Sequence, residues 1–294
     1  MCGIVGLFLK DKALEPRLGA LLSDMLVTMT DRGPDSAGIA VYGAPQPGRA
    51  RITVQSAAPE TDFAALAQAL AEFDAEVAVK STHAVISVDA PRLAETRAAA
   101  EAVGAIRVMG AGEAVTIFKE VGLPAQVVDR FGIRAMAGSH GVGHTRMATE
   151  SAVTTLGAHP FSTGPDQCLV HNGSLSNHNN LRRGMIRDGV RFETENDSEV
   201  AAAFLTARMD AGRSLNEALS DALDGLDGFY TFVVGTKSGF GVLRDPIACK
   251  PAVLAETDAW VAFGSEYRAL AGLPGIEGAK VWEPEPATVY FWER

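Results

Sequence analysis

The sequence begins Met-Cys-Gly-Ile-Val, which sets Cys2 directly behind the initiator residue. Removal of Met1 would leave Cys2 with a free α-amine beside its thiol. A free thiol titrates near about 8.5, so little thiolate exists at neutral pH, and an α-amine of pKa about 7.7–8.0 is a suitable base for it. One residue would then carry both nucleophile and base, the cysteine counterpart of a threonine activated by its own terminal amine. An incidental cysteine at position 2 is the competing reading of this residue taken alone.

Other residues add chemistry to that thiol. Asn172 and Gly173 follow the apolar stretch QCLV in the motif HNG. The side-chain NH2 of Asn172 and the backbone N–H of Gly173 can face one point, and two donors aimed at a developing oxyanion lower a barrier substantially. Asn-Gly is also the commonest two-residue hairpin turn, although His171 before it and the polar stretch 174–177 after it fit an ordinary hairpin poorly. Arg146, in GHTRMAT, supplies a guanidinium able to grip a carboxylate with two hydrogen bonds. Asp197, in NDSE, stands at a helix start, where it reads equally well as a cap. Together Arg146 and Asp197 could hold the α-carboxylate and α-ammonium of an amino acid. His159, before Pro160, reads as structural. His140, His144, His171 and His178 show no ligand spacing such as HxxxH with an acid, so no metal site and no cofactor are expected.

The elements that would position these residues follow from periodicity and breakers. Residues 3–9 and 37–42 read as apolar strands around a helix near 17–30, with Leu18, Leu21, Leu22, Met25 and Met29 at helical spacing. The segment DRGPDSAG is a turn, and the Pro/Gly-rich residues 42–50 read as a boundary. Residues 51–122 then run β-α-β-β-α-β, with helices over 61–73 and 91–104, in the manner of a split βαβ layer, and hold no catalytic signature. From about 135 the chain becomes β-rich. Helices are expected at 197–210 and 214–224, and strands at 229–236, 239–245, 251–256, 259–266 and 287–293.

Composition sets the outer bounds. The 294 residues are 47% hydrophobic and 21% charged, with a net charge of −10. This suits a globular protein with a sizeable core and speaks against a nucleic-acid binder, which would show a basic stripe. No apolar run reaches membrane-spanning length and the start is unlike a signal peptide, so a cytoplasmic location is expected. Cys2, Cys168 and Cys249 form no CxxC pair and are expected to be free thiols.

In order, the chain reads Cys2-Gly-Ile, RGPDSAG, GHTRMAT, AHPF, HNG, NDSE, RDP…KPAV and FGSE. This series resembles the glutaminase domain of the class II glutamine amidotransferases, a branch of the N-terminal-nucleophile hydrolases. The resemblance covers residues 1–43 and about 135–294. It implies a four-layer αββα sandwich of two antiparallel sheets between helices, with removal of Met1. It further implies L-glutamine as substrate and Cys2 as nucleophile. Asn172 with Gly173 would form the oxyanion hole, and Arg32 with Gly33 would line the nucleophile's side. Arg146 would bind the glutamine carboxylate and Asp197 its α-amine. The loop 147–151, with Met147, Ala148 and Thr149, would close over the substrate, and His159 joins the substrate-binding set.

Two departures stand out. Position 147 is Met, where relatives often carry an aromatic gate. The stretch between Gly38 and Gly143 is far longer than the motifs require, so residues 51–122 are expected to form an inserted α/β lobe within a domain spanning 1–294. No synthase region follows the glutaminase motifs, so the ammonia acceptor is expected on a separate subunit of a hetero-oligomer. This arrangement is similar to the glutaminase-like subunits of glutamate-synthase-like and N-methylglutamate synthase systems. The competing functions are an N-terminal-nucleophile amidase acting on another amide, and a weakly active assembly subunit.

Overall fold

The apolar run behind Cys2 forms β1 (Gly3–Leu9), and all its residues are buried. In the computed structural model, which describes residues 2–148 and 152–294, this strand divides its side chains between two cores. Val5, Leu7 and Leu9 pack with Leu18, Leu22 and Met25 of helix α1 (Leu18–Thr28). Ile4 and Phe8 point the other way. A period of two with both faces apolar is the pattern of a strand covered on both sides.

The chain continues through β2 (Ser36–Tyr42), β3 (Arg49–Gln55), α2 (Pro59–Ala69), β4 (Glu76–Lys80), β5 (His83–Asp89), α3 (Leu93–Glu101), β6 (Arg107–Gly112), β7 (Val115–Val121) and α4 (Pro124–Phe131). It proceeds through β8 (His140–Arg146), β9 (Cys168–Leu175), α5 (His178–Arg187), α6 (Asp197–Asp210) and α7 (Leu215–Gly225). It ends with β10 (Gly228–Gly235), β11 (Gly239–Arg244), β12 (Val253–Glu256), β13 (Trp260–Gly264), β14 (Lys280–Trp282) and β15 (Thr288–Glu293).

A seven-stranded sheet in the order β14-β12-β13-β1-β8-β2-β7 faces a four-stranded sheet in the order β15-β11-β10-β9. Between them Ile4, Phe8, Val142 and Phe263 meet Val170, Val233, Phe240 and Val242. Outside the smaller sheet, Leu169, Phe232, Val234 and Leu243 pack on Phe204 and Leu205 of α6 and on Leu215 and Leu219 of α7. The layers therefore run helix, sheet, sheet, helix, with α1 and α4 on one outer face and α6 and α7 on the other. This is the expected α+β sandwich. Among the described residues no helix is long and apolar enough to cross a membrane.

A third sheet, in the order β4-β5-β3-β6, has its own core of Ile52, Val54, Phe63, Leu66, Ile86, Val88 and Ile106. The range 51–122 is divided between this sheet and the large one, because β7 pairs with β2 from Ser36↔Val121 to Tyr42↔Val115. The β3–β6 unit thus occupies the turn of a β2–β7 hairpin. Asp166 clasps the re-entry point: its carboxylate accepts from the backbone N–H groups of Glu113, Ala114 and Val115 at 2.8–2.9 Å.

Candidate active site

Cys2 lies half-buried just ahead of β1, whose first residue, Gly3, pairs with Thr145 of β8. Its carbonyl oxygen accepts from Arg32 Nε at 2.9 Å and from Asn172 Nδ2 at 3.3 Å. Two of the expected residues, from a turn after α1 and from β9, therefore meet on the backbone of a third. The fixed strand behind them keeps the chain end in place: Ile4 N donates to Ser265 Oγ at 2.9 Å, and Ser265 N to Ile4 O at 3.0 Å.

Arg32 is buried and pairs with Glu266 at 2.6 Å, while Arg268 reaches the other Glu266 oxygen at 2.7 Å. The hydrogen bond from Arg32 holds the Glu266 carboxyl below its ordinary range, with the charges of both arginines adding to it. In the sequence Glu266 and Ser265 stand in the FGSE motif, which by itself assigns them no role. Gly33 is needed for close approach, since a Cβ there would stand 2.5 Å from the backbone carbon of Thr145.

Asn172 and Gly173 lie inside β9, paired with Thr231 and Tyr230 of β10, so Asn-Gly is not a hairpin turn here. The strand tolerates Gly173 at φ +152°, and a Cβ would fall 2.0 Å from Phe229 O. That backbone suits glycine and little else. Arg146 ends β8 and is buried, and its Nη1 donates to Ala152 O at 3.4 Å. Asp35 fastens the start of the next loop: its N donates to Arg146 O at 3.1 Å and its Oδ2 accepts from Ala148 N at 2.8 Å. Met147 is partly exposed. Met1 and Thr149 to position 151 lie outside the described residues.

Asp197 opens α6, capped by Asn196, whose Oδ1 accepts from Ser198 N at 2.9 Å. The cap is therefore Asn196, which leaves the Asp197 carboxylate available to other groups. Its Oδ2 accepts from Leu175 N at 2.8 Å, and its Oδ1 lies 3.8 Å from His171 Nδ1. His159 is buried, stacked on His144 at 4.0 Å, with Nε2 2.8 Å from Ser198 Oγ. Burial pushes His144 down to about 3, and lowers His159 and His171 as well, so all three rings are neutral near pH 7. Among the described residues no three metal-ligating groups converge.

Lys119 of β7 pins the segment that carries His159. Its Nζ donates to the carbonyls of Leu156, Ala158 and Pro160 at 2.8–3.2 Å, and burial lowers it to about 8. The other cysteines are not comparable with Cys2. Cys168 is buried beside Tyr42 and pushed up to about 12 by burial, and Cys249 is exposed.

The chain is similar to several known proteins. The profile of the glutamine amidotransferase domain family matches residues 144–272. The glutamine amidotransferase-like protein GlxB of Rhizobium meliloti is 71% identical over 296 residues, which takes in 100% of this chain and 98% of that protein. A glutamine–fructose-6-phosphate aminotransferase of Zymomonas mobilis is 36% identical over 138 residues, 47% of this chain and 23% of that one. Among solved structures, the glutamine phosphoribosylpyrophosphate amidotransferase of B. subtilis superposes with a TM-score of 0.64 at 19% identity, covering 99% of this chain and 47% of that chain. At that identity the likeness is one of fold.

Proposed function

The chain belongs to the class II glutamine amidotransferases, and within that family we propose that it is a glutaminase subunit that hands ammonia to a separate synthase. The observation that carries this reading is the clasp on Cys2, where Arg32 and Asn172 both donate to its carbonyl oxygen.

In the proposed cycle Met1 is removed and the α-amine of Cys2 takes the thiol proton. The sulfur attacks the side-chain amide carbon of glutamine. The carbonyl oxygen becomes an oxyanion facing Asn172 and Gly173. An amide nitrogen carries two N–H groups, so Asn172 Nδ2 can keep one on Cys2 O and turn the other to the oxyanion. The C–N bond then breaks, the proton passes from the α-ammonium to the leaving nitrogen, and ammonia departs. A glutamyl thioester remains on Cys2. Water adds to it, and glutamate leaves as the thiol is restored.

Arg146 binds the α-carboxylate of glutamine and Asp197 its α-ammonium. Met147, Ala148 and Thr149 belong to the loop over the substrate, and Arg32 with Gly33 fixes the nucleophile. His159 acts from behind the site. In this reading the acceptor site lies on another polypeptide, of glutamate-synthase-like or N-methylglutamate-synthase type, within a cytoplasmic hetero-oligomer.

The test is labelling with a glutamine-analogue electrophile, followed by glutamine hydrolysis with and without the acceptor subunit. The expected result is loss of Met1, a single label on Cys2, and hydrolysis that the Cys2→Ala variant lacks. A label on Cys249, or hydrolysis of other amides in preference to glutamine, would overturn the reading.

A further inference from the structure

The Ser198 hydroxyl sits at the meeting point of three polar groups, and their hydrogens can be assigned by elimination. Its Oγ is 2.8 Å from His159 Nε2, 2.8 Å from His171 Nδ1 and 3.4 Å from Asp197 Oδ1. A hydroxyl has one proton and two lone pairs. Three neighbours therefore require that two of them donate and one accept. A carboxylate can only accept, which already favours the imidazoles as donors.

Each ring supports the same assignment. His144 Nε2 lies 3.0 Å from His171 O, and a carbonyl only accepts, so His144 carries its hydrogen there. His171 Nδ1 faces the Asp197 carboxylate at 3.8 Å, where a hydrogen is attracted and a lone pair repelled. His171 is therefore the Nδ1–H form. For His159, the alternative to an Nε2–H is an Nδ1–H that is buried with no protein acceptor. Unpaired buried N–H groups are avoided more strongly than unpaired acceptors. Both rings then donate to Ser198, and its proton is left for Asp197.

We propose that Ser198 is the positioning residue for the substrate's α-ammonium: it accepts N–H from His159 and His171 and gives its single proton to Asp197 Oδ1. With Leu175 N–H on Oδ2, the carboxylate is held at both oxygens and so fixed in place for the ammonium. His159 acts on the substrate only through this serine. The inference rests on Asp197 as the α-ammonium ligand.

The experiment uses the processed full chain. Nitrogen-15 spectra of histidine-labelled wild type should show His159 as Nε2–H and His171 as Nδ1–H. For Ser198→Ala, KM for glutamine should rise about fivefold or more, as expected for a lost hydrogen bond near a charge, while kcat stays close to wild type. With glutaramate, which is glutamine without its α-amine, wild type and Ser198→Ala should behave alike. An Nδ1–H tautomer at His159, or an equal Ser198→Ala penalty on both substrates, would overturn the proposal. Asp197→Asn separates the two readings. If it discriminates against glutamine while Ser198→Ala does not, only the serine's role fails. If neither does, the assignment of Asp197 fails and this proposal with it.

Discussion

Replacing Asn172 with alanine removes the hydrogen bond to Cys2 O and, in the proposed cycle, a second one made to the oxyanion, and the two losses have different costs. The bond to Cys2 O is long, at 3.3 Å, and Arg32 Nε supports the same oxygen at 2.9 Å. Its loss should cost about 1 kcal/mol of stability, the usual net value of one hydrogen bond, and leave the chain end in place. In the proposed cycle the second N–H faces the oxyanion only in the transition state. Removing such a donor costs about 2.7–4 kcal/mol, or about 10²–10³ in kcat, with KM little changed. Asn172→Asp should fall at least as far, because a negative charge would then stand where negative charge develops. The assay is glutamate release under saturating glutamine, read beside the unfolding midpoint in urea. Two results would refute the reasoning: a kcat within about threefold of wild type, or a loss expressed wholly in KM. An unfolded variant would instead show that the bond to Cys2 O matters far more than its length suggests.

Gly173→Ala should be destabilised by well over about 1 kcal/mol, since both its φ and the 2.0 Å approach to Phe229 O exclude a Cβ; thermal unfolding that matches wild type would contradict the strand geometry. Stability should fall in acid through buried neutral histidines. His83 and His140 are lowered by burial from 6.5 to about 4, so the unfolded chain binds more protons between those values. Their contribution is full above pH 6.5 and is lost as pH falls toward 4, on the order of 2 kcal/mol each by pH 5. Urea midpoints at pH 7 and pH 5 measure this, and equal midpoints would count against it. Replacing residues 45–112 with a short Gly/Ser turn should leave glutamine hydrolysis intact, because the β2–β7 ladder closes without them; loss of hydrolysis in a folded variant would show that the β3–β6 unit contributes to the site.

The sequence carried the site in a way that individual residues did not. Cys2, Arg32, Asn172 and Glu266 stand far apart, yet each belongs to a motif; the fold joins Arg32 and Asn172 at the Cys2 carbonyl and sets Glu266 behind Arg32. Asn-Gly shows the limit of local signals. Its turn meaning is overridden because β10 lies alongside and pairs with Asn172 and Gly173. Asp197 was ambiguous for a related reason, and only the structure shows that Asn196 takes the cap. Helices α4 and α5 escaped notice because they are short and polar over much of their length; α4 nonetheless has Pro124 at its start and buries Val127, Val128 and Phe131. The histidine–serine cluster was illegible altogether. Its members come from β8, β9, α6 and the segment before β9, and nothing in their spacing announces that they meet.

The hairpin position of the β3–β6 unit has an evolutionary consequence. The chain leaves the large sheet after Tyr42 and returns at Val115, its direct partner across the ladder. Exit and entry are thus one strand spacing apart, about 5 Å. A module can be grafted there, or lost, without shifting the register of any strand that carries the site. Descendants of one catalytic sandwich could therefore diverge in the surfaces they offer to other proteins while the chemistry at Cys2 stays unaltered.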